Sequence, residues 1–286
     1  MMTQRLLVLD FSGMLSLEAV RFGMPDRLEQ ALRQSGLWDL GVDVERYWND
    51  IVKPTWETGS TTRTPYAHLI AQFIPASRLP ADDVLQCAEQ FVQAYLQASV
   101  IDPAWRPLFD ALQLAECVTP LVATDHYAEA TDHIGRQIAA MGWRAAALRV
   151  DDAGTTSLQT ISTPASDPPC ARTVLIANSA DLGARKDSAH FWRCVQAGLV
   201  EQPQEVLVVD DFGANENLLD FYADPVKVQR RQALTIDVIR SVFGAPVRTF
   251  PFILDRPLPH GEALRAAYRA KAEAVVGEVR AVLRIE

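Results

Sequence analysis

The chain has 286 residues, of which 49% are hydrophobic and 22% charged, with 14 glycines and 17 prolines. These proportions exclude a disordered, collagenous or coiled-coil chain, and at ~150 residues per domain the length suits about two domains, or one domain with a large insert. The formal net charge of −9 disfavours broad electrostatic binding to nucleic acid or to an anionic membrane.

Hydrophobic runs along the chain are all short. None approaches the ~20 residues of a membrane-spanning helix, and the run Leu6 to Leu9 near the N-terminus is too short for a secretory signal. We therefore expect a cytoplasmic protein. Its four cysteines lack the spacing of a zinc site and are expected to be reduced, mostly buried thiols; they are Cys87, Cys117, Cys170 and Cys194.

Four apolar runs predict buried parallel strands, because each is short and is followed by a stretch of helical character. They are Leu6 to Leu9, Val118 to Ala123, Thr173 to Ala177 and Val206 to Val209. Strands that alternate with helices imply β-α-β units, and such sheets bind ligands at the carboxyl ends of their strands. The predicted fold class is α/β, with a Rossmann-like three-layer core around a parallel sheet.

Between the first and second predicted strands the apolar residues are spaced three or four apart, as with Leu28 and Leu32, and this spacing predicts helices. We interpret residues 16–107 as an inserted α-helical cap domain, and residues 1–15 and 108–286 as the core.

Aromatic residues of this insert are expected to pack the cap helices together rather than to contact a ligand. They are Trp38, Tyr47, Trp48 and Trp56.

Two further segments of the core have their own patterns. Residues 148–172 are predicted to form a small surface hairpin insert, with its turn at Ala153 and Gly154. Residues 261–286 predict a C-terminal amphipathic helix packed on the core, because Leu264 and Tyr268 begin an apolar stripe at helical spacing.

Residues whose side chains could take part in catalysis follow the predicted strands. Asp10 ends the first strand and Thr124 the second, Lys186 comes within ten residues of the third, and Asp210 and Asp211 end the fourth. Because the carboxyl ends of parallel strands meet at one edge of the sheet, we expect these side chains to gather there. A nucleophile, a cation and a hydroxyl at one place suit phosphoryl transfer.

In this order and strand context the residues resemble the haloacid dehalogenase (HAD)-like hydrolase superfamily. The resemblance implies that Asp10 is the nucleophile and that Lys186 neutralises charge on the nucleophile and substrate. It also implies that Thr124 hydrogen-bonds a phosphoryl oxygen, with Asp125 beside it at the substrate.

The acidic residues also predict a magnesium site. Mg²⁺ prefers oxygen ligands and keeps bound water, which suits Asp10, the backbone carbonyl of Ser12, and Asp210 or Asp211. Without a cation, a buried cluster of carboxylates would be strongly self-repelling.

The chain departs from the pattern of the family's phosphatases at Ser12, where those enzymes carry a second Asp as general acid and base. A hydroxyl is too weak an acid for this task, and loss of a general acid or base typically costs ~10² to 10⁴ in rate. His126, two residues after Thr124, is an alternative group for proton transfer or substrate contact. We prefer to interpret it as a surface or helix-start histidine.

The expected function is that of a HAD-like hydrolase, with magnesium-dependent phosphoryl or phosphonate chemistry on a small-molecule substrate. One alternative is a catalytically impaired relative that binds a phosphorylated ligand or a partner. Another is a metal-independent 2-haloacid dehalogenase, which the acidic pair disfavours. Lys53 in the cap is a candidate Schiff-base lysine for phosphonate cleavage, although a solvated helix lysine is the simpler interpretation. The pattern indicates no oligomeric state.

Overall fold

The computed structural model describes residues 3–74, 80–164, 172–216, 224–255 and 261–285. Its strands are β1 (Arg5–Leu9), β2 (Val118–Thr124), β3 (Arg144–Val150), β4 (Thr156–Ser162), β5 (Thr173–Asn178), β6 (Glu205–Asp210) and β7 (Val247–Pro251). They form one sheet in the order β4-β3-β5-β2-β1-β6-β7. Neighbouring strands are parallel except β3 and β4, which are antiparallel. The predicted α/β class is confirmed.

The helices in the described ranges are α1 (Leu17–Arg21), α2 (Pro25–Gln34), α3 (Val44–Arg46), α4 (Lys53–Gly59), α5 (Tyr66–Phe73), α6 (Ala81–Ala98), α7 (Arg106–Leu112), α8 (Glu129–Ala140), α9 (Ser179–Leu182), α10 (Ala189–Gly198), α11 (Pro225–Phe243) and α12 (Gly261–Leu283). A π-helical turn, Tyr47–Val52, joins α3 to α4, and a 3-10 turn, Pro103–Trp105, precedes α7. None of these helices is both long and apolar enough to cross a membrane.

Strand β1 lies near the middle of the sheet and is covered on both faces. Leu7 and Leu9 pack into a cluster with helices α7, α8 and α12, whereas Leu6 and Val8 pack into another with α10 and α11. Successive residues of a strand point to opposite faces, so a strand buried on both sides is apolar without interruption. This is the predicted three-layer core.

The predicted hairpin exists, but the interpretation of residues 148–172 as a separate surface insert is wrong. Strand β3 starts at Arg144 and pairs in parallel with β5, while β4 pairs with β3 and forms the edge of the sheet. Residues 165–171 lie outside the described residues. The start of β3 was missed because its alanines have weak strand preference.

Helices α1 to α6 all lie between β1 and β2, which confirms the helical insert. A hydrophobic cluster of its own runs through it from Phe22 to Val92 and includes Tyr127, which belongs to the loop after β2. Helix α1 packs instead with the sheet. The residue boundaries of cap and core stay a prediction.

The C-terminal helix α12 packs on the core as predicted, through a stripe that includes Leu264 and Tyr268. The Tyr268 hydroxyl donates a hydrogen bond to the carbonyl of Met14 and accepts one from Trp105 Nε1 at 2.8 Å. Helix α12 therefore supports the loop that follows β1.

The thiol prediction is tested for three of the four cysteines. Cys194 is buried, Cys87 and Cys117 are half-buried, and all three are free. Cys170 lies outside the described residues.

Candidate active site

Asp10 follows β1 directly and remains tied to the sheet, because its backbone N–H donates to the carbonyl of Val209 at 3.0 Å. The chain then turns sharply at Gly13, whose φ is 75°, a left-handed value that favours glycine. A Cβ at Gly13 would lie 2.5 Å from Asp211 Oδ2. The turn that carries Asp10 therefore packs directly on the acidic residue behind it.

Asp210 and Asp211 are oriented by the turn that follows β6. The N–H of Phe212 donates to Asp210 Oδ1 at 2.6 Å, and the N–H groups of Gly213 and Asn215 donate to the two oxygens of Asp211 at 2.9 Å each. Both carboxylates are buried. Their positions are fixed by local backbone donors rather than by solvent.

Lys186 brings a positive charge into the same site. Its Nζ lies 2.5 Å from Asp10 Oδ1 and 2.9 Å from Asp210 Oδ2. Its backbone N–H donates to Asp125 Oδ1 at 2.9 Å, and its carbonyl accepts from Trp192 Nε1 at 2.6 Å. Asp125 thus holds the lysine segment in place, a positioning role beside the substrate contact that the sequence predicts.

Carboxylate oxygens of Asp10, Asp210 and Asp211 all lie within 4.8 Å of one another. Burial, reinforced by Asp210, raises the pKa of Asp10 well above its ordinary value, although Lys186 opposes the rise. Burial and Asp210 likewise raise the pKa of Asp211 to about 7. Burial alone would lower the pKa of Lys186, but the facing carboxylates outweigh it and raise that pKa well above normal. The lysine therefore stays charged.

His126 is buried, so its interpretation as a surface histidine is wrong, although it does lie shortly before the start of helix α8 at Glu129. Its Nε2 lies 2.8 Å from the Tyr95 hydroxyl of helix α6, and the two rings stack with centroids 5.6 Å apart. Its backbone N–H donates to Ser179 Oγ at 3.0 Å. Burial lowers the pKa of His126 to about 4, which keeps the ring neutral at pH 7.

We expect the neutral His126 to make the folded state sensitive to acid. In the unfolded chain the ring takes up a proton below its ordinary pKa of 6.5, whereas the folded ring resists until about 4. The stability it contributes is thus complete above pH 6.5 and is lost as the pH falls towards 4. Urea unfolding at pH 7 and pH 5 should show that the parent loses about 2 kcal/mol more than His126→Gln does. Equal losses in both proteins would contradict this.

One cavity collects the predicted residues. It lies between the carboxyl edge of the sheet and the helical insert, and its volume is about 130 Å³. The predicted site residues that line it are Asp10, Ser12, Thr124, Asp125, His126, Lys186, Asp210 and Asp211. Thr124 is buried at the end of β2, as expected.

Lys53 lies elsewhere. Its side chain is exposed, and its Nζ donates to Asn49 Oδ1 at 3.1 Å along the same helical stretch. It does not line the cavity. The structure therefore does not support the Schiff-base interpretation.

Several lining residues were missed from sequence. Tyr47, Trp48 and Trp56 pack within the insert, as expected, and they also line the cavity. Tyr95 was missed because its spacing from Phe91 indicates only an apolar helix face. Further missed residues on the core side are Glu216, Arg231 and Thr235.

Comparisons with known proteins give distant likenesses. No family model and no curated protein matches the chain. A 2-haloacid dehalogenase from Pseudomonas syringae pv. Tomato is 17% identical, with a TM-score of 0.43, covering 80% of this chain and 84% of that one. A predicted HAD-like family hydrolase from Porphyromonas gingivalis is 13% identical, with a TM-score of 0.40, covering 88% of this chain and 91% of that one.

A HAD family enzyme from Bacteroides thetaiotaomicron is 12% identical, with a TM-score of 0.41, covering 87% of this chain and 93% of that one. These likenesses concern the path of the chain, and no residue's role is carried over from them. The α/β fold described above rests on this chain's own strand order and on its helical insert after β1.

Proposed function

We propose that the protein is a magnesium-dependent hydrolase that cleaves a small phosphorylated substrate through Asp10. The observation that supports this is the buried cluster of Asp10, Asp210 and Asp211, in which Asp10 and Asp210 contact the ammonium of Lys186. The cluster has three carboxylates and one lysine, and an excess of buried negative charge is costly unless a cation joins it.

The residues present fit magnesium. All three side chains offer oxygen donors, which Mg²⁺ prefers, and the carbonyl of Ser12 is the fourth protein ligand that the sequence predicts. Asp10, Asp210 and Asp211 would hold the ion. When bound, it would neutralise charge on the oxygens of the transferred phosphoryl group.

The reaction steps belong to the side chains of the chain itself. A carboxylate oxygen of Asp10 attacks phosphorus in line, the bond from phosphorus to the leaving oxygen breaks, and an acyl phosphate forms on Asp10. Water then attacks that phosphorus, which releases inorganic phosphate and restores the carboxylate. Lys186, 2.5 Å from Asp10 Oδ1, stabilises the carboxylate form of Asp10 and so opposes the burial that raises its pKa.

Phosphate esters suit the cavity better than phosphonates do. Cleavage of a carbon–phosphorus bond leaves a carbanion that needs an electron sink, and Lys186 is the only lysine among the described residues that line the cavity. Since Lys186 is engaged by two carboxylates, it is not a Schiff-base lysine. The substrate class that we propose is therefore a phosphate monoester.

Ser12 affects which phosphate esters the protein could cleave, because it takes the place of a general acid. It lines the cavity, as Tyr95 does, and its hydroxyl is a poor proton donor for a leaving alkoxide. Leaving groups that depart without a proton should therefore react best. Ser12 also favours the alternative function, a binding protein with little turnover. A measurement of turnover distinguishes the enzyme from the binding protein.

Magnesium titration tests the proposal. Calorimetry should show Mg²⁺ binding to the parent, at least about tenfold weaker in Asp211→Asn because a charged ligand is lost. Asp237→Asn, which changes an exposed aspartate of helix α11, should bind like the parent. Phosphate monoester hydrolysis should require Mg²⁺ and stop with chelator. No binding by the parent, or equal binding by Asp211→Asn, would contradict the metal assignment.

A further inference from the structure

The two sides of the cavity differ in charge. The sheet edge supplies the carboxylates and Lys186, and the core also supplies Glu216 and Arg231. None of the described lining residues from the insert is charged; they include Tyr47, Trp48, Trp56, Tyr66 and Tyr95. The phosphoryl group belongs at the charged edge, so the rest of the substrate faces the insert.

The tyrosine hydroxyls of this wall are engaged with other groups of the protein. The Tyr66 hydroxyl donates to the Tyr47 hydroxyl at 2.8 Å, and the Tyr95 hydroxyl lies 2.8 Å from His126 Nε2. Burial raises the pKa of Tyr66 well above its ordinary value, so its hydroxyl is neutral. A sugar or a charged organic group would lose its hydrogen bonds to water here and would find few hydrogen-bond partners on the wall in their place.

Aromatic rings form the wall and support one another. Tyr47 and Trp48 meet edge to face at 5.4 Å, Trp56 and Tyr127 do the same at 5.4 Å, and Tyr66 stacks on Tyr127 at 3.7 Å. Trp48 and Trp56 are half-buried, in contrast with the buried tyrosines. Edge-to-face and stacked rings favour a further ring among them.

The backbone turns these side chains to one side. Residues Tyr47–Val52 form a π-helical turn, in which the N–H of Lys53 bonds to the carbonyl of Trp48. Pro54 follows and has no N–H to continue an α-helix. A π-turn brings residues five apart onto one face, and such turns are frequent at functional sites; here Tyr47, Trp48 and Val52 all line the cavity.

We propose that the substrate is a phosphate monoester whose organic part is uncharged and aromatic, as in an aryl phosphate. This rests on the proposed function and narrows it. A phenolate leaves without full protonation, which also matches the hydroxyl of Ser12 in place of a general acid.

Binding of phosphonates in the presence of Mg²⁺ tests the proposal without turnover. Benzylphosphonate copies phenyl phosphate with a CH₂ in place of the ester oxygen, methylphosphonate lacks the ring, and 2-aminoethylphosphonate carries a charge instead. By calorimetry, benzylphosphonate should bind at least about 30-fold more tightly than either, the gain expected from burying a phenyl ring. This comparison needs only the parent protein.

Two variants locate the effect. Trp48→Leu should reduce the advantage of benzylphosphonate over methylphosphonate by at least about fivefold. Trp38→Leu is the matched control, because Trp38 lies in the same insert, is half-buried under the Arg33 guanidinium at 3.8 Å, and does not line the cavity. It should keep the advantage of the parent. Circular dichroism confirms that each variant is folded.

The outcomes distinguish the two proposals. If methylphosphonate binds but benzylphosphonate binds no better, or the aminoethyl compound binds equally well, the aromatic substrate is wrong and the phosphoryl site stands. If a folded Trp48→Leu keeps the full advantage, the aromatic wall does not hold the ring and the inference is wrong. If no phosphonate binds with Mg²⁺ present, the proposed function fails and the inference fails with it.

Discussion

Asp10→Asn should lower phosphate monoester hydrolysis by at least about 10⁴-fold, because the amide keeps the shape of the side chain but removes the negative charge and with it nearly all nucleophilicity. Folding should survive, since the change removes one of three mutually repelling carboxylates. Steady-state kinetics with Mg²⁺ measures the loss. Beryllium trifluoride, which mimics a phosphoryl group, should add to the parent at Asp10 and give a new fluorine resonance that the variant lacks.

The control is Asp237→Asn, an exposed position outside the cavity, which should retain the parent's turnover. Hydrolysis that persists in Asp10→Asn would show that another group attacks the substrate. Equal behaviour of parent and variant in every assay, without turnover, would instead favour the binding protein over the enzyme.

Lys186→Met should destabilise the metal-free protein by about 3 to 5 kcal/mol, because it leaves buried carboxylates without their positive partner. Lys186 contacts both Asp10 and Asp210 and is itself buried. Urea unfolding in the presence of chelator measures the effect. Adding Mg²⁺ should recover part of the loss, since the ion supplies positive charge to the same carboxylates.

Lys53→Met is the matched control for that change. Lys53 is exposed and contacts only the neighbouring Asn49 among the hydrogen bonds described for it, so its loss should shift the unfolding free energy by less than about 0.5 kcal/mol. A similarly small effect in Lys186→Met would mean that the carboxylates are already protonated or solvated, contrary to the buried cluster.

The central strands could be predicted from sequence because a parallel strand buried on both faces must be continuously apolar, as in β1 and β6. The gathering of Asp10, Lys186 and Asp210 followed from topology alone, since each lies at or beyond the carboxyl end of a strand. Edge strand β7 was missed because only one of its five residues is buried and Pro251 ends it.

The cavity wall could not be predicted in the same way. An apolar residue at helical spacing has the same pattern whether it faces another helix or a ligand, so Trp48 and Trp56 gave no signal of their position. The contact between Tyr95 and His126 joins residues 31 positions apart. Only the packing of the insert on the sheet edge brings them together, and that packing has no local signature.

Contacts of Tyr127 limit how easily the helical insert could be replaced by the insert of another protein. Tyr127 belongs to the loop after β2, yet its ring stacks on Tyr66, and a Cβ at Gly59 would lie 2.8 Å from its Cε1. Two residues later Glu129 Oε1 accepts the N–H of Tyr66 at 2.6 Å. If only the segment between β1 and β2 were exchanged for that of another protein, Tyr127 and Glu129 would stay with the original core. A transplanted insert would therefore need positions 127 and 129 to travel with it, which makes this part of the molecule less modular than its single continuous insertion implies.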